Sequence, residues 1–212
     1  MADGSEVGEA GKTASESNSI LKTNITQDEL NVLPLRAYSG KVHVVTDAKY
    51  FPKIAAEVSK HTVVGFDTET RPSFKKGQSY KLALLQLAIR NKVYLIRTHH
   101  TGIDHHIISI FENENIIKTG VAIRDDIKAL QSLKPFRPAA FIDLATMSRQ
   151  VGLQVESVKK LAALVLGFRI SKSAQTSNWE AATLTEKQIE YAATDAWVCL
   201  ELYHKLSNLL PK

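Results

Sequence analysis

The stretch LALLQLAIRNKVYLIR, residues 82–97, decides the fold. Two strand-like runs, Leu82–Ile89 and Val93–Arg97, flank Arg90-Asn91-Lys92, a gap of turn length, which predicts a hairpin. On its N-terminal side, Thr62–Phe66 is a short apolar run of the kind a fully buried central strand shows. Further back, Lys41–Thr46 is β-branched, and Asp47 caps a predicted helix running towards Lys60, with Pro52 distorting it. Thr26 and Glu29 have the spacing of a capping box, opening a short helix that stops before Pro34. On the other side, strand and helix alternate. Asp104 opens a helix through Phe111, Ile116–Ala122 is a strand, and a helix starts near Arg124. Phe141–Leu144 then reads as a strand and is followed by a helical stretch to Gln150. Val155–Leu166 has helical Ile/Leu/Val spacing, with Gly167 as its C-cap. Thr185 and Gln188 form a second capping box, at the start of the last helix, which reaches about Leu209. A hairpin followed by strand–helix alternation predicts an α/β three-layer sandwich around a mixed central sheet.

The 212 residues suffice for one domain with a substantial core. A hydrophobic share of 44% with 23% charged residues excludes a mostly disordered chain. No apolar run approaches the roughly 18 residues of a membrane span. Cys199 is the single cysteine, so no intrachain disulfide forms and nothing implies an oxidising compartment. Residues 1–24 are polar and acidic and read as a disordered tail, unlike a secretory signal or a mitochondrial presequence. The expected organisation is therefore this tail and a single domain over 25–212, in a cytoplasmic protein. The formal net charge of +5 conceals an asymmetry, because residues 1–30 carry six acids and two bases, leaving +9 on the remainder. A field of that sign attracts polyanions, although it equally describes a soluble lysine-rich surface.

Gly65-Phe66-Asp67-Thr68-Glu69-Thr70 carries the first chemical signal. Alternate residues of a strand share a face, so Asp67 and Glu69 project to the same side. Two such carboxylates on an apolar strand are costly unless a cation neutralises them or one holds a proton. Hard oxygen ligands on a rigid element suit Mg²⁺ or Mn²⁺, and a solvated strand end is the plainer reading of the pair alone. In Tyr191-Ala192-Ala193-Thr194-Asp195, the tyrosine and aspartate stack on one helical face, and the alanines let that helix approach the sheet. Taken alone, the pair reads more plainly as a buried tyrosine hydrogen-bonded to an aspartate one turn on. Of the adjacent Asp125 and Asp126, Asp126 shares its helical face with Ile123 and Leu130 and points inward, whereas Asp125 faces Lys128 and solvent.

Together these segments resemble the three motifs of the ribonuclease D and Werner-type 3′–5′ exonucleases, the tyrosine-containing branch of the four-acid exonucleases on a ribonuclease H-like fold. The resemblance rests on Gly65-Phe66-Asp67-Thr68-Glu69, on Gly120 leading to Asp126, and on Ser177-Asn178-Trp179-Glu180 followed by Tyr191–Asp195. It spans residues 41–210. It implies that Asp67, Glu69 and Asp195 bind one divalent ion, that Asp67 bridges to a second, and that Asp126 supports the second through water. Such ions lie about 4 Å apart and clamp an in-line phosphoryl displacement. Tyr191 is implied to orient and help deprotonate the attacking water. The implied activity is release of nucleoside 5′-monophosphates from a single-stranded 3′ end of RNA or DNA, with two Mg²⁺ or Mn²⁺ ions as cofactors. A catalytically inactive nucleic-acid-binding module and a metal-dependent endonuclease are the rival readings, and the intact acid set argues against the first.

The loop 71–81 directly follows the first acidic pair. Arg71, Lys75, Lys76 and Lys81 supply positive charge there, and Phe74 and Tyr80 supply rings for base stacking, so the loop is expected to contact nucleic acid. Lys172 and Gln175 are expected to border the same groove. His99-His100 and His105-His106 lack a zinc-like ligand spacing and read as surface or loop histidines. Trp179 reads as packing under the last helix, and Cys199 as a core residue.

Overall fold

A computed structural model of the chain describes residues 22–75 and 77–210; the predicted acidic tail therefore lies almost wholly outside the described residues. In chain order the elements are α1 (Gln27–Val32), β1 (Lys41–Val45), α2 (Phe51–Val58), β2 (Val63–Thr70), β3 (Leu82–Ile89), β4 (Lys92–Ile96), α3 (Thr98–Thr101) and α4 (His105–Glu112). There follow β5 (Ile117–Gly120), α5 (Arg124–Leu133), β6 (Phe141–Asp143), α6 (Leu144–Gln150), α7 (Val158–Leu161) and α8 (Glu186–Ser207). The strands form one sheet in the order β1-β4-β3-β2-β5-β6. β3 runs antiparallel to both its neighbours, while β1–β4, β2–β5 and β5–β6 are parallel, so the sheet is mixed as predicted.

β2 and β3 lie at the centre, and every residue of β3 is buried. A fully buried leucine there contributes roughly 1.5–3 kcal/mol relative to exposure. Alternation sorts β2 into two faces. Phe66 points to the layer containing α2 and α4, where its ring stands edge-on to Phe111 at 6.2 Å and to Phe141 at 5.5 Å. Gly65, Asp67 and Glu69 point to α8. A Cβ on Gly65 would stand 1.9 Å from the Ala196 carbonyl oxygen, so the helix can lie this close only over a bare backbone. Ala192, Ala193 and Ala196 complete that contact, all fully buried. Gly65→Ala is therefore expected to cost about 3 kcal/mol, the upper range for overpacking, read as a shift in the urea midpoint at constant slope.

Local signals were obeyed at the caps. Thr26/Glu29 and Thr185/Gln188 are both complete capping boxes, and Asp104 caps α4 by accepting from the His106 and Ile107 amides. Apart from ends that shift by one or two residues, three predicted elements differ from the observed ones. Pro52 does not distort a helix: Asp47 caps a 3₁₀ turn, Ala48–Tyr50, and the proline sits in the first turn of α2, where no N–H is needed. The predicted helix 155–166 starts only at Val158, where Ser157 supplies the cap, and its end widens into a π-helical turn over Ala162–Leu166 before Gly167 at φ 73°. β2 continues past Phe66 to Thr70, so the acidic pair lies within the strand, and a β-bulge follows Glu69. Bulges of this kind re-aim a strand beside a site.

Candidate active site

β2 and α8 meet where their acids are. One ligand oxygen from each of Asp67, Glu69 and Asp195 lies within 4.8 Å of the others. The trio lines a cleft of about 260 Å³. It is also lined by Ser157, Val158 and Lys159 around the start of α7, by Ile170, Ser171, Lys172 and Gln175 after it, and by Tyr191.

Crowded carboxylates in a desolvated site hold protons strongly. Burial, followed by the neighbouring Asp195 and Asp126 charges, raises Asp67 well above the usual carboxylate range. Burial and then Asp67 push Glu69 up to about 10. Asp195 is pushed up to about 7 by burial, against which its hydrogen bond from Tyr191 and the charge of Lys172 work in the other direction. The Tyr191 hydroxyl is itself held protonated, chiefly by burial and next by the Asp195 and Glu69 charges. A set of hard oxygens whose own repulsion favours protonation is a fit receptor for a hard divalent cation, which can replace those protons.

Asp126 stands outside the 4.8 Å trio. It is tethered from the other face of β2, where the Thr68 hydroxyl donates to its carboxylate. Burial is the main cause of its raised pKa. Asp125 is exposed and pairs with Lys128 at 3.1 Å, so the inward choice of Asp126 agrees with the structure. The turn that aims Asp126 is unusual. Ala122 adopts φ 57°, and its amide is held by Asp143 Oδ1 at 3.1 Å. The same oxygen caps α6 through the Ala145 amide at 2.9 Å. A left-handed alanine of this kind persists only where its surroundings over-determine it, and it lies four residues from an acid of the site.

Of the predicted nucleic-acid contacts, Lys172 lines the acidic cleft. Arg71, Phe74 and Lys75 line an adjoining hollow with Tyr80, Thr176 and Asn178, and Phe74 is 86% exposed. Arg71 is not a free cation: its guanidinium lies over the Tyr80 ring at 4.7 Å and reaches Glu180 at 3.4 Å. Lys81 is exposed and lines neither hollow, while Lys76 lies outside the described residues. Gln175 takes its expected place on the cleft wall. Trp179 is fully buried, with its ring 6.0 Å from Tyr191, and Cys199 is buried, both as core residues.

Sequence reasoning missed Thr68, Ser157, Lys159, Ser171 and Asp143. Only Thr68 carried a signal, as the residue between the paired acids. Asp104, His105 and His106 form a second group of potential ligand atoms. Asp104 is already engaged there by the helix cap and by His106 at 2.9 Å. Among the described residues no helix is long and apolar enough to cross a membrane.

The mouse protein described as bifunctional 3′-5′ exonuclease/ATP-dependent helicase WRN is 30% identical over 208 residues, covering 93% of this chain and 15% of that protein. Ribonuclease D of Haemophilus influenzae is 30% identical over 172 residues, covering 80% of this chain and 42% of the enzyme. This chain thus spans less than half the length of either relative. Among solved structures, the Aedes aegypti Nibbler EXO domain superposes with a TM-score of 0.69 at 26% identity, over 83% of this chain and 91% of that domain. The fold is thus that of the ribonuclease H-like exonuclease domains. The family model described as 3′-5′ exonuclease matches residues 42–211, and the chain belongs to that family.

Proposed function

We propose that the chain is a metal-dependent 3′–5′ exonuclease that hydrolyses the terminal phosphodiester of a single-stranded RNA or DNA end and releases nucleoside 5′-monophosphates. The observation that carries this reading is the convergence of Asp67, Glu69 and Asp195 within 4.8 Å on a cleft that Lys159 and Lys172 also line. In this reading Asp67, Glu69 and Asp195 hold one Mg²⁺ or Mn²⁺, and Asp67 with the Thr68-tethered Asp126 supports a second. Bound there, the ions supply Lewis-acid stabilisation of the attacking and leaving oxygens. Water attacks phosphorus, the P–O3′ bond breaks, and the departing oxygen takes a proton to become the new 3′-hydroxyl. Tyr191, held protonated, serves as a hydrogen-bonding group that orients the attacking water more than as a base that removes its proton. Lys172 and Lys159, which line the same cleft, draw the phosphate chain in. Phe74 offers an exposed ring for stacking in the adjoining hollow, and Lys75 a charge for the next phosphate.

The test is digestion of oligonucleotides labelled at the 5′ end, in Mg²⁺ or Mn²⁺, with single-stranded RNA, single-stranded DNA and recessed duplexes compared. A ladder shortening from the 3′ end supports the proposal. Internal cleavage from the first time point would mark an endonuclease instead, and binding without cleavage a non-catalytic module. Tyr191→Phe is expected to lower kcat by about 10²-fold or more while leaving the melting curve in place, because the ring packing against Trp179 is retained. Lys75→Ala is expected to reduce the slope of log affinity against log salt by about 0.7, the contribution of one phosphate contact on a single strand. An unchanged slope refutes that contact.

A further inference from the structure

Gln86 is the exception on the most buried strand of the molecule. It is fully buried, and neither its Oε1 nor its Nε2 has a hydrogen-bond partner. Leaving a buried amide unpaired costs stability that a leucine or methionine would not, so its presence among Leu84, Leu85, Leu87 and Ala88 calls for a reason. Its position supplies one. Gln86 is the cross-strand partner of Asp67 in the antiparallel β2–β3 pair, and directly opposed residues project to the same face. Opposed Cβ atoms lie roughly 4.5–5.5 Å apart, which puts the Gln86 and Asp67 side chains next to each other beneath α8 without a hydrogen bond between them. A carboxylate has about four acceptor sites, and the amide has two free donors.

We propose that Gln86 is a positioning residue for the acidic site: its Nε2, unpartnered in this structure, turns to donate to the Asp67 carboxylate when that carboxylate is ionised and holding a cation, and so fixes how its oxygens face the cleft. The proposal rests on the metal-dependent reading of the trio, in which Asp67 is the shared ligand. A buried donor with no competing partner restricts the carboxylate's rotation without taking a coordination position, and loss of such a support typically weakens metal affinity by about 10–100-fold. Thr119 is the built-in comparison. Its hydroxyl is also fully buried and unpartnered, on β5, but its register partner is Gly65 and not Asp67.

The experiment compares Gln86→Met and Thr119→Val, both nearly isosteric. Three readings are taken: the melting temperature in EDTA, the Mn²⁺ dissociation constant from the electron paramagnetic resonance signal of free Mn²⁺, and kcat and KM separately. For Gln86→Met the expected result is a melting temperature equal to or above that of the unsubstituted protein. Mn²⁺ binding should be about 10-fold weaker or more, and kcat should fall at unchanged KM. Thr119→Val is expected to match its melting behaviour while binding Mn²⁺ normally. The proposal is overturned by a folded Gln86→Met with unaltered Mn²⁺ affinity, by equal weakening in both variants, or by failure of Gln86→Met to fold, which would make the amide structural. If the unsubstituted protein binds Mn²⁺ but digests nothing, the exonuclease reading fails while the Mn²⁺ comparison still decides the role of Gln86. If it binds no Mn²⁺, both fall together.

Discussion

Asp67→Asn is expected to abolish nuclease activity and, in the same protein, to raise the melting temperature measured in EDTA. The two effects share one cause. Asp67 belongs to a crowded acidic set, and desolvation followed by the charges of Asp195 and Asp126 disfavours its ionised form. Asparagine keeps the size and removes the charge. The metal-free fold then no longer has to retain a proton there or tolerate the repulsion, so the melting temperature in EDTA rises. The loaded site loses a charged ligand shared, in the proposed reading, by both ions. Charge stabilisation of this kind is worth several kcal/mol in the transition state, so the rate is expected to fall by about 10³-fold or more. Digestion of an end-labelled oligonucleotide and a melting curve in EDTA read the two effects independently. Full activity in the variant would remove Asp67 from the site, and a lowered melting temperature would show that the acids are not in conflict. Opposite signs distinguish an active-site acid from a structural one, whose loss lowers both quantities.

What the sequence made legible is what short-range chemistry decides. The hairpin over 82–96, the capping boxes at Thr26 and Thr185 and the cap at Asp104 depend on residues three or four apart, and all are found as expected. The preference for Asp126 over Asp125 is equally local, since Ile123 and Leu130 define the inward face of α5 and both are buried. The acids of β2 and α8 were legible as separate pieces, while their convergence depends on how closely the helix lies, which Gly65 and the alanines permit. Long-range placement was not legible. Val155 continues an apolar rhythm and is buried, yet it lies outside the helix, its carbonyl accepting from the Ser148 hydroxyl at 3.1 Å. Lys159 and Ser157 line the cleft of the acids only because α7 begins at that cap and packs against α8. Arg71 counted among the positive charges of its loop, and its pairing was hidden because its partner, Glu180, is 109 residues away. Gln86 was hidden for a different reason. In a run of leucines a single amide is unremarkable until its neighbour across the strands proves to be Asp67.

The metal-free protein is expected to become less stable as pH rises from 5 to 7, and saturating Mn²⁺ is expected to reverse the trend. Glu69 is pushed up to about 10 and Asp195 up to about 7, each from an ordinary carboxylate value of 4.5 or 3.8. A group whose folded pKa is raised binds more protons in the native than in the unfolded state between those two values. Stability is therefore greatest below about pH 4 for these groups. It is lost progressively up to about pH 7 for Asp195, and up to about pH 10 for Glu69. One net proton gives about 1.4 kcal/mol per pH unit, hence roughly 3 kcal/mol between pH 5 and 7, or about 6 °C or more. The other shifted groups do not mask this. The depressed acids Asp47, Glu57 and Asp104 titrate below the window. Lys118, lowered to about 8 by burial, adds stability only as pH climbs above that value. His100 is lowered by burial and works in the opposite direction inside the window, but it is exposed, so its contribution is small. Mn²⁺ requires the deprotonated ligands, so its stabilising effect grows with pH over the same interval. Melting curves at pH 5, 6 and 7, in EDTA and in Mn²⁺, should diverge upward with pH. A flat profile in EDTA would show that the three acids do not share a strained site. A slope that survives unchanged in Asp67→Asn would place its origin elsewhere in the fold.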